Sequence, residues 1–221
     1  MMAWYVFAFV DERPTGRRGS GLSGALSVRE VPGGFVVVER RADVVPTELG
    51  ALKKHDAVIA RLANAVPAIL PVRFGTLMEM DEIEEALQER DTEIAAAFAL
   101  VRGRVQFSWR DTREARREAR GSRREARGAP DSGTEYLRRA ARAASPAPPP
   151  VFRTVRDTLR SLVAEERFQS PTTPLPGALY HLVDRGSQER YRLVANKLAS
   201  PDAGLRVTGP WAPFAFTPDL L

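Results

Sequence analysis

HDAVIARLANAVPAILPVRFGT, residues 55–76, changes its hydrophobic periodicity at Pro67. Before that proline, apolar side chains and one histidine recur at steps of three and four, which predicts one stripe of an amphipathic helix. They are Leu52, His55, Ile59, Leu62 and Val66. After it, side chains alternate with a period of two, which predicts a strand over residues 68–74 that Gly75 closes. The stretch therefore predicts a helix that crosses a sheet and leads into an inner strand of it.

The rest of the first hundred residues supplies partners for this helix and strand. Runs rich in Val, Phe and Tyr, bounded by turn residues, predict a first strand and a hairpin. They are residues 3–10, 25–30 and 35–40. We expect Thr47 to cap the helix that carries His55, and an apolar stripe predicts one further helix over residues 80–101. These elements predict an N-terminal α/β domain over residues 1–102.

The second half of the chain predicts another small domain, over residues 103–221, that includes a Pro- and Ala-rich linker at 143–150. Its elements follow from the same periodicities. They are a strand at 104–110, an amphipathic helix at 151–167, a strand at 178–184, a helix at 188–199 and a strand at 205–208. The predicted fold class is α+β, with two short, mainly antiparallel sheets covered by helices and a ferredoxin-like second domain.

Composition restricts the class of protein. The apolar fraction of 43% and charged fraction of 28% are those of an ordinary globular chain. The absence of Cys excludes disulfides and thiolate metal sites, which fits a reducing interior. The opening MMAWYVFAFV lacks a basic leader and ends at Asp11-Glu12-Arg13, so we interpret it as a strand rather than a membrane span. We therefore expect a cytoplasmic protein with no membrane partner.

The net charge of +5 comes mainly from one segment. Residues 110–127 contain eight Arg and four acidic residues, a local charge of +4, which leaves 25 basic and 24 acidic residues elsewhere. Arg and Glu alternate there at helical spacings, and no aromatic side chain follows Trp109 that could stack on bases. A solvated helix face is the favoured interpretation; contact with an acidic partner, or a nucleic-acid-binding module, are the alternatives.

No candidate for catalysis or for cofactor binding has a supporting context. Residues 19–24 fit GxGxxG, but no helix follows closely, so we interpret them as a flexible surface loop rather than a phosphate site. His55 and Asp56 are adjacent on a helix and point about 100° apart, and His181 has no nearby carboxylate pattern. We expect no enzyme, metal, cofactor or small-molecule substrate; an enzyme would need His55, Asp56 and Arg73 to converge.

Two motifs carry a resemblance to a known family. The helix HDAVIARL followed by LPVRFGT, within residues 55–76, and the segment GPWAPFAF at 209–216 resemble the HxxVLxxL, LPxRFGT and terminal signatures of the gas vesicle accessory proteins of the GvpL/GvpF family. The family's terminal pattern GPWPPYxF has a Tyr where this chain has Phe214, so the hydrogen bond of that hydroxyl is absent here. The segment 133–138 resembles the family's GxxYL helix.

The resemblance implies a non-enzymatic accessory protein for the assembly of gas vesicles, the gas-filled shells that give cells buoyancy. Its implied partners are the small hydrophobic shell protein and other gas vesicle accessory proteins. In this chain, Arg73 either pairs with Glu79, Asp81 or Glu82 or binds a partner. The aromatic residues at 211–216 either pack between the domains or form an apolar platform. The predicted partner-binding residues are Arg73, Phe74, Arg113, Arg116, Arg117, Arg120, Trp211, Phe214 and Phe216.

Overall fold

The computed structural model describes residues 3–15, 19–113, 148–171, 177–200 and 204–221, which belong to two compact units. The first unit contains the chain up to Val105 together with Trp211–Leu221, and the second contains Gln106–Pro210. The predicted domains, 1–102 and 103–221, divide the chain near the same point. The structure adds that the final segment packs with the first unit, where Phe216 is buried.

The first sheet is built around β1 (Ala3–Val10), which is almost entirely buried. On one side β1 pairs antiparallel with β3 (Gly34–Arg41), which pairs in turn with β2 (Leu26–Val31). On the other side β1 pairs antiparallel with two short strands, β4 (Ile69–Pro71) and β5 (Leu77–Met78). The predicted first strand and hairpin are confirmed.

The strand predicted at residues 68–74 is wrong in its second half. β4 ends at Pro71, but two further backbone hydrogen bonds to β1 follow before β5: the Val72 N–H donates to the Phe7 carbonyl at 2.9 Å, and the Val6 N–H donates to the Thr76 carbonyl at 3.0 Å. Residues 73–75 turn between these two bonds, and Gly75 takes a positive φ of 93° that other residues rarely adopt. We call residues 72–76 the signature loop.

Three helices cover this sheet. The first, α1 (Leu49–Ala63), buries His55, Ile59 and Leu62 of the predicted stripe together with Val58, whereas Leu52 is half-buried and the buried Val66 lies beyond the helix. Thr47 is not its cap: the N-cap position is Glu48, which makes no side-chain cap hydrogen bond. The predicted helix over 80–101 is instead two helices, α2 (Met80–Glu89) and α3 (Asp91–Val101). The backbone N–H of Arg90 bonds to the carbonyl of Leu87, a tighter i→i−3 turn that ends α2.

The second sheet consists of β6 (Arg104–Asp111), β7 (Glu165–Gln169), β8 (Ala178–Asp184) and β9 (Leu205–Trp211), in the lateral order β7-β8-β6-β9, and belongs to the second unit except for the first two residues of β6 and the last residue of β9. Among the described residues of this unit, the helices are α4 (Arg153–Leu159), between short 3₁₀ turns, and α5 (Gln188–Leu198). Along the described residues the elements follow the order β-α-β-β-α-β, which is compatible with the predicted ferredoxin-like arrangement.

The predictions of β6, β8 and α5 are confirmed, but the helix predicted to reach Arg167 is wrong. Helical structure ends at Leu162, and residues 165–169 form β7, which pairs antiparallel with β8. The strand predicted at 205–208 continues to Trp211. The predictions for the Arg-rich helix beyond Arg113, for 133–138 and for most of the linker fall outside the described residues.

Candidate functional site

His55 connects helix α1 to the signature loop. The Tyr5 hydroxyl donates to His55 Nδ1 at 2.9 Å, and His55 Nε2–H donates to the carbonyl of Val72 at 3.2 Å. The backbone N–H of Gly75 in turn donates to the Tyr5 hydroxyl oxygen at 3.1 Å. Burial lowers the pKa of His55, and a neutral ring satisfies each of these bonds. His55 therefore shapes the loop and is not available as a catalytic base.

Aromatic packing fixes the same loop from its other side. The His55 ring stacks on Phe7 with ring centroids 5.5 Å apart and meets the edge of Phe74 at 5.6 Å. Phe74 also lies edge-on to Tyr5 at 6.1 Å and packs against the core. Phe74 is thus an anchor of the loop, half-buried, while the side chain of its neighbour Arg73 is 79% exposed.

The ion-pair partner of Arg73 is Asp219, with 3.1 Å between guanidinium nitrogen and carboxylate oxygen. Glu79, Asp81 and Glu82, the partners expected from the sequence, are not in this ion pair. Glu79 and Glu82 form the capping box of α2 instead, in which Glu82 Oε2 accepts the N–H of Glu79 at 2.9 Å.

A pocket of about 160 Å³ lies beside this ion pair, within the first unit. Its walls come from β4, the signature loop and the final segment of the chain. They are Pro71, Val72, Arg73, Phe214, Thr217, Pro218, Asp219, Leu220 and Leu221. We call it the Arg73 pocket. Polar and apolar atoms contribute about equally to its lining, with Arg73, Thr217 and Asp219 as the polar side chains, so it suits a ligand that joins a charged group to an apolar one.

Two aromatic side chains between residues 211 and 214 are exposed. Trp211 is 52% exposed and Phe214, which lines the pocket, is 41% exposed. Phe216 is only 1% exposed, so it anchors the segment within the first unit and offers no surface to a partner. Exposed aromatic side chains of this size are enriched in protein interfaces.

Comparison with known proteins assigns this sequence to a family. The sequence model described as "Gas vesicle synthesis protein GvpL/GvpF" matches residues 3–218. The chain belongs to the GvpL/GvpF family. Gas vesicle protein L of Streptomyces sp. (strain CB03234) is 25% identical over 184 residues, which is 75% of this chain and 68% of that protein.

Solved structures of GvpF proteins share the fold. The crystal structure of gas vesicle protein GvpF from Anabaena sp. PCC7120 covers 99% of this chain and 97% of its own, with a TM-score of 0.72 and 16% identity. GvpF from Microcystis aeruginosa covers 97% of this chain and 98% of its own, with a TM-score of 0.68 and 16% identity. The two-sheet α+β architecture is therefore that of GvpF structures.

The structure gathers some of the predicted partner-binding residues of this GvpL/GvpF chain and separates others. Arg73, Phe74 and Phe214 lie in the first unit around the pocket or its loop, and Trp211 belongs to the same unit. Arg113 belongs to the second unit and is exposed. Arg116, Arg117 and Arg120 lie outside the described residues.

The sequence analysis missed Asp219 and the residues around it. Asp219 is separated from Arg73 by most of the chain, and its neighbours Pro218, Leu220 and Leu221 carry no periodic pattern. A weak hint was present in the apolar residues that surround Arg73, because a guanidinium there calls for a carboxylate. That hint gives the charge of the partner but not its position.

The Gly-rich loop at 19–24 is held by hydrogen bonds rather than loose. The carboxylate of Glu39 accepts the backbone N–H groups of Leu22, Ser23 and Gly24, and Arg41 also donates to it at 3.2 Å. A Cβ at Gly21 would collide with that carboxylate. The donors that a GxGxxG loop would offer to a phosphate are thus taken by the chain's own Glu39.

A second buried network occupies the second unit. Trp109 Nε1–H donates to the Tyr191 oxygen at 2.8 Å, and the Tyr191 hydroxyl donates to His181 Nδ1 at 2.8 Å. His181 Nε2–H donates to Glu166 at 3.2 Å, and Arg156 pairs with the same carboxylate at 2.7 Å. The hydrogen bond from His181 lowers the pKa of Glu166, and burial raises that of Tyr191. Because His181 and Tyr191 are buried, we interpret this network as structural.

The three residues considered for an enzyme differ in their exposure to solvent. His55 is buried, Asp56 is exposed on the same helix, and Arg73 extends from the signature loop. Within the described ranges, no cluster of three or more His, Asp or Glu side chains could hold a metal ion. Among the same residues, no helix has the length and hydrophobicity that a membrane crossing requires.

Proposed function

We propose that this chain is a non-enzymatic accessory protein of gas vesicle formation that binds the hydrophobic shell protein, and other accessory proteins, in the cytoplasm. The observation that carries the proposal is membership of the GvpL/GvpF family across residues 3–218. Phe214, which lines the Arg73 pocket, and Trp211, which belongs to the same unit, are exposed and supply apolar surface suited to this task.

The physical role of such a protein is to cover apolar surface temporarily. A shell subunit with an exposed apolar face aggregates before assembly, so a helper has to shield that face and still release it. Burying a large apolar side chain contributes about 1.5–3 kcal/mol, so two half-exposed aromatics give a contact that is useful but reversible. Trp and Arg are also the residues that most often dominate binding energy at interfaces.

Positive charge adds a part that depends on salt. Arg73 is exposed at the pocket, and the Arg-rich segment contributes Arg113, Arg116, Arg117 and Arg120. Exposed charges of this kind accelerate and orient association with acidic surfaces, and salt screens them. In this proposal the aromatics provide the affinity that survives salt, while the arginines select acidic partners.

A co-expression pull-down tests the proposal. The tagged chain should capture the shell protein at low and at high salt, and Trp211→Ala/Phe214→Ala should reduce capture by about ten-fold or more. The matched control is Val44→Ala/Leu49→Ala, which removes two exposed apolar side chains that do not line the pocket, and which should capture normally. Unchanged capture by a folded Trp211→Ala/Phe214→Ala variant would contradict the apolar part.

Deletion of residues 114–127 tests the basic part and spares β6. Capture by the deleted chain should persist at high salt and fall modestly at low salt. Loss of shell-protein binding in every condition, with nucleic acid co-purifying through residues 110–127, would favour the nucleic-acid-binding alternative.

A further inference from the structure

The ion pair between Arg73 and Asp219 is exposed to solvent and can dissociate easily. Both side chains are largely exposed, 79% for Arg73 and 61% for Asp219. Exposed ion pairs contribute little to stability because water competes for both charges. A carboxylate from another molecule can therefore displace Asp219 from the guanidinium at little energetic cost.

The final segment does not need this carboxylate to stay in place. The backbone carbonyl of Asp219 accepts a hydrogen bond from the guanidinium of Arg90. Leu220 and Phe216 on either side are buried, and Thr217 Oγ1 donates to the carbonyl of Pro213 at 3.1 Å. The Asp219 side chain can thus leave Arg73 while the segment that carries it remains packed.

The charges around the pocket favour an anionic ligand once Asp219 moves. Arg90, the neighbouring guanidinium, already pairs with Glu93 at 2.8 Å. Arg73 would then present a fork of donors that matches a carboxylate. The volume of about 160 Å³ is close to that of cavities that hold one benzene ring, about 150 Å³. The pocket therefore has room for a single bulky apolar side chain.

We propose that Asp219 is an internal stand-in for a partner's carboxylate, and that the Arg73 pocket receives a protein segment with an acidic side chain beside a bulky apolar one. This inference rests on the proposed function, because it assumes that this face meets a protein partner. It adds the chemistry of the contact: the partner's acid replaces Asp219, and its apolar neighbour enters the pocket between Pro71, Val72 and Phe214.

Two matched peptides test this on the full chain. Acetyl-Leu-Asp-Leu-Leu-amide and its Asn analogue are titrated into ¹⁵N-labelled protein, and binding is read from the Arg Nε–H and Trp indole Nε1–H signals in NMR spectra. The Asp peptide should bind more tightly than the Asn peptide. Asp219→Asn should tighten binding of the Asp peptide by about two- to five-fold and leave the Asn peptide unchanged, since it removes an internal competitor.

Three comparisons make the result decisive. Arg73→Gln should abolish the preference for Asp over Asn. Glu189→Gln removes the carboxylate from another exposed ion pair, Glu189–Arg192, and should change neither peptide's affinity. Weaker or unchanged binding of the Asp peptide to Asp219→Asn, failure of that variant to fold, or preference retained by Arg73→Gln would each overturn the inference.

Shell-protein capture run in parallel separates this inference from the proposed function. Suppose that shell-protein capture depends on Trp211 and Phe214, but that Asp219→Asn does not bind the Asp peptide more tightly. This result would reject only the stand-in role of Asp219 and would leave the proposed function intact. An Asp preference that depends on Arg73, without any shell-protein capture, would instead reject the proposed shell partner and keep the stand-in role.

Discussion

At the scale of single residues, the polar groups of this chain are mainly used to hold loops in place. His55, which the sequence placed on the apolar stripe of a helix, bonds at both ring nitrogens, to Tyr5 and to the carbonyl of Val72. Periodicity could predict that His55 is buried, because the helical stripe is local information. It could not predict the partners of the ring, since Tyr5 comes from strand β1, fifty residues earlier in the chain.

The lowered pKa of His55 makes stability depend on pH. In the unfolded chain a histidine has a pKa of about 6.5. Burial favours the neutral ring and lowers the pKa of His55 in the folded protein, so the unfolded state takes up the proton first as the pH falls. Stability from this site is complete above about pH 6.5 and is lost as pH falls below that value. We expect thermal unfolding, followed by circular dichroism, to show a lower Tm at about pH 5.5 than at about pH 7.5.

His55→Gln is the variant that isolates this effect. The amide can replace only part of the bonding to Tyr5 and Val72, so it should lower the free energy of unfolding at neutral pH by about 1–3 kcal/mol. Because the amide does not titrate, the decrease in Tm between the two pH values should be smaller in this variant. An equal decrease in both proteins would assign the pH dependence to other groups.

At the scale of elements, hydrophobic periodicity correctly predicted the strands and helices whose formation depends on their own residues. β1, the first hairpin, β8 and α5 carry clear periodicity in their own residues, and each is present in the structure. β7 was missed because its sequence EERFQ is mostly polar, and its identity as a strand depends on pairing with β8. The break between α2 and α3 was missed because the apolar stripe continues in phase across Arg90.

The loop at 19–24 gives an element-scale prediction. In the parent chain both carboxylate oxygens of Glu39 accept backbone N–H groups, from Leu22 and Gly24. Glu39→Gln replaces one of these oxygens by an NH₂ group, which is itself a donor and cannot accept the N–H group that it faces. We expect the variant to lose about 1.5–3 kcal/mol of stability, as for hydrogen bonds to a charged group. Hydrogen exchange should show faster exchange at the amides of Leu22 and Gly24.

The control is Glu30→Gln, which changes an exposed acid on the same hairpin and should alter neither the stability nor these exchange rates. If the amides of Leu22 and Gly24 remained protected in Glu39→Gln, the carboxylate would not be what holds the loop.

At the scale of the whole molecule, the chain returns to its first unit after completing the second. Residues 211–221 close the Arg73 pocket, so a site in the N-terminal half depends on the last residues of the sequence. The sequence analysis identified GPWAPFAF as a signature but placed it in the second domain. No local pattern reveals this connection, since the burial of Phe216 depends on contacts remote in sequence.

Phe216→Ala tests this connection because the side chain is fully buried within the first unit. Truncating a buried Phe costs about 3–5 kcal/mol, and here the loss should fall on the first unit. The indole Nε1–H signals of Trp4 and Trp109 report on the two units separately during a urea titration followed by NMR. We expect Trp4 to report unfolding at lower urea in the variant, while the midpoint reported by Trp109 changes less.

Phe214→Ala, at a half-exposed position of the same segment, is the control and should leave both midpoints close to those of the parent chain. A midpoint that moved for Trp109 but not for Trp4 would mean that Phe216 stabilises the second unit instead, and the assignment of the final segment to the first unit would be wrong.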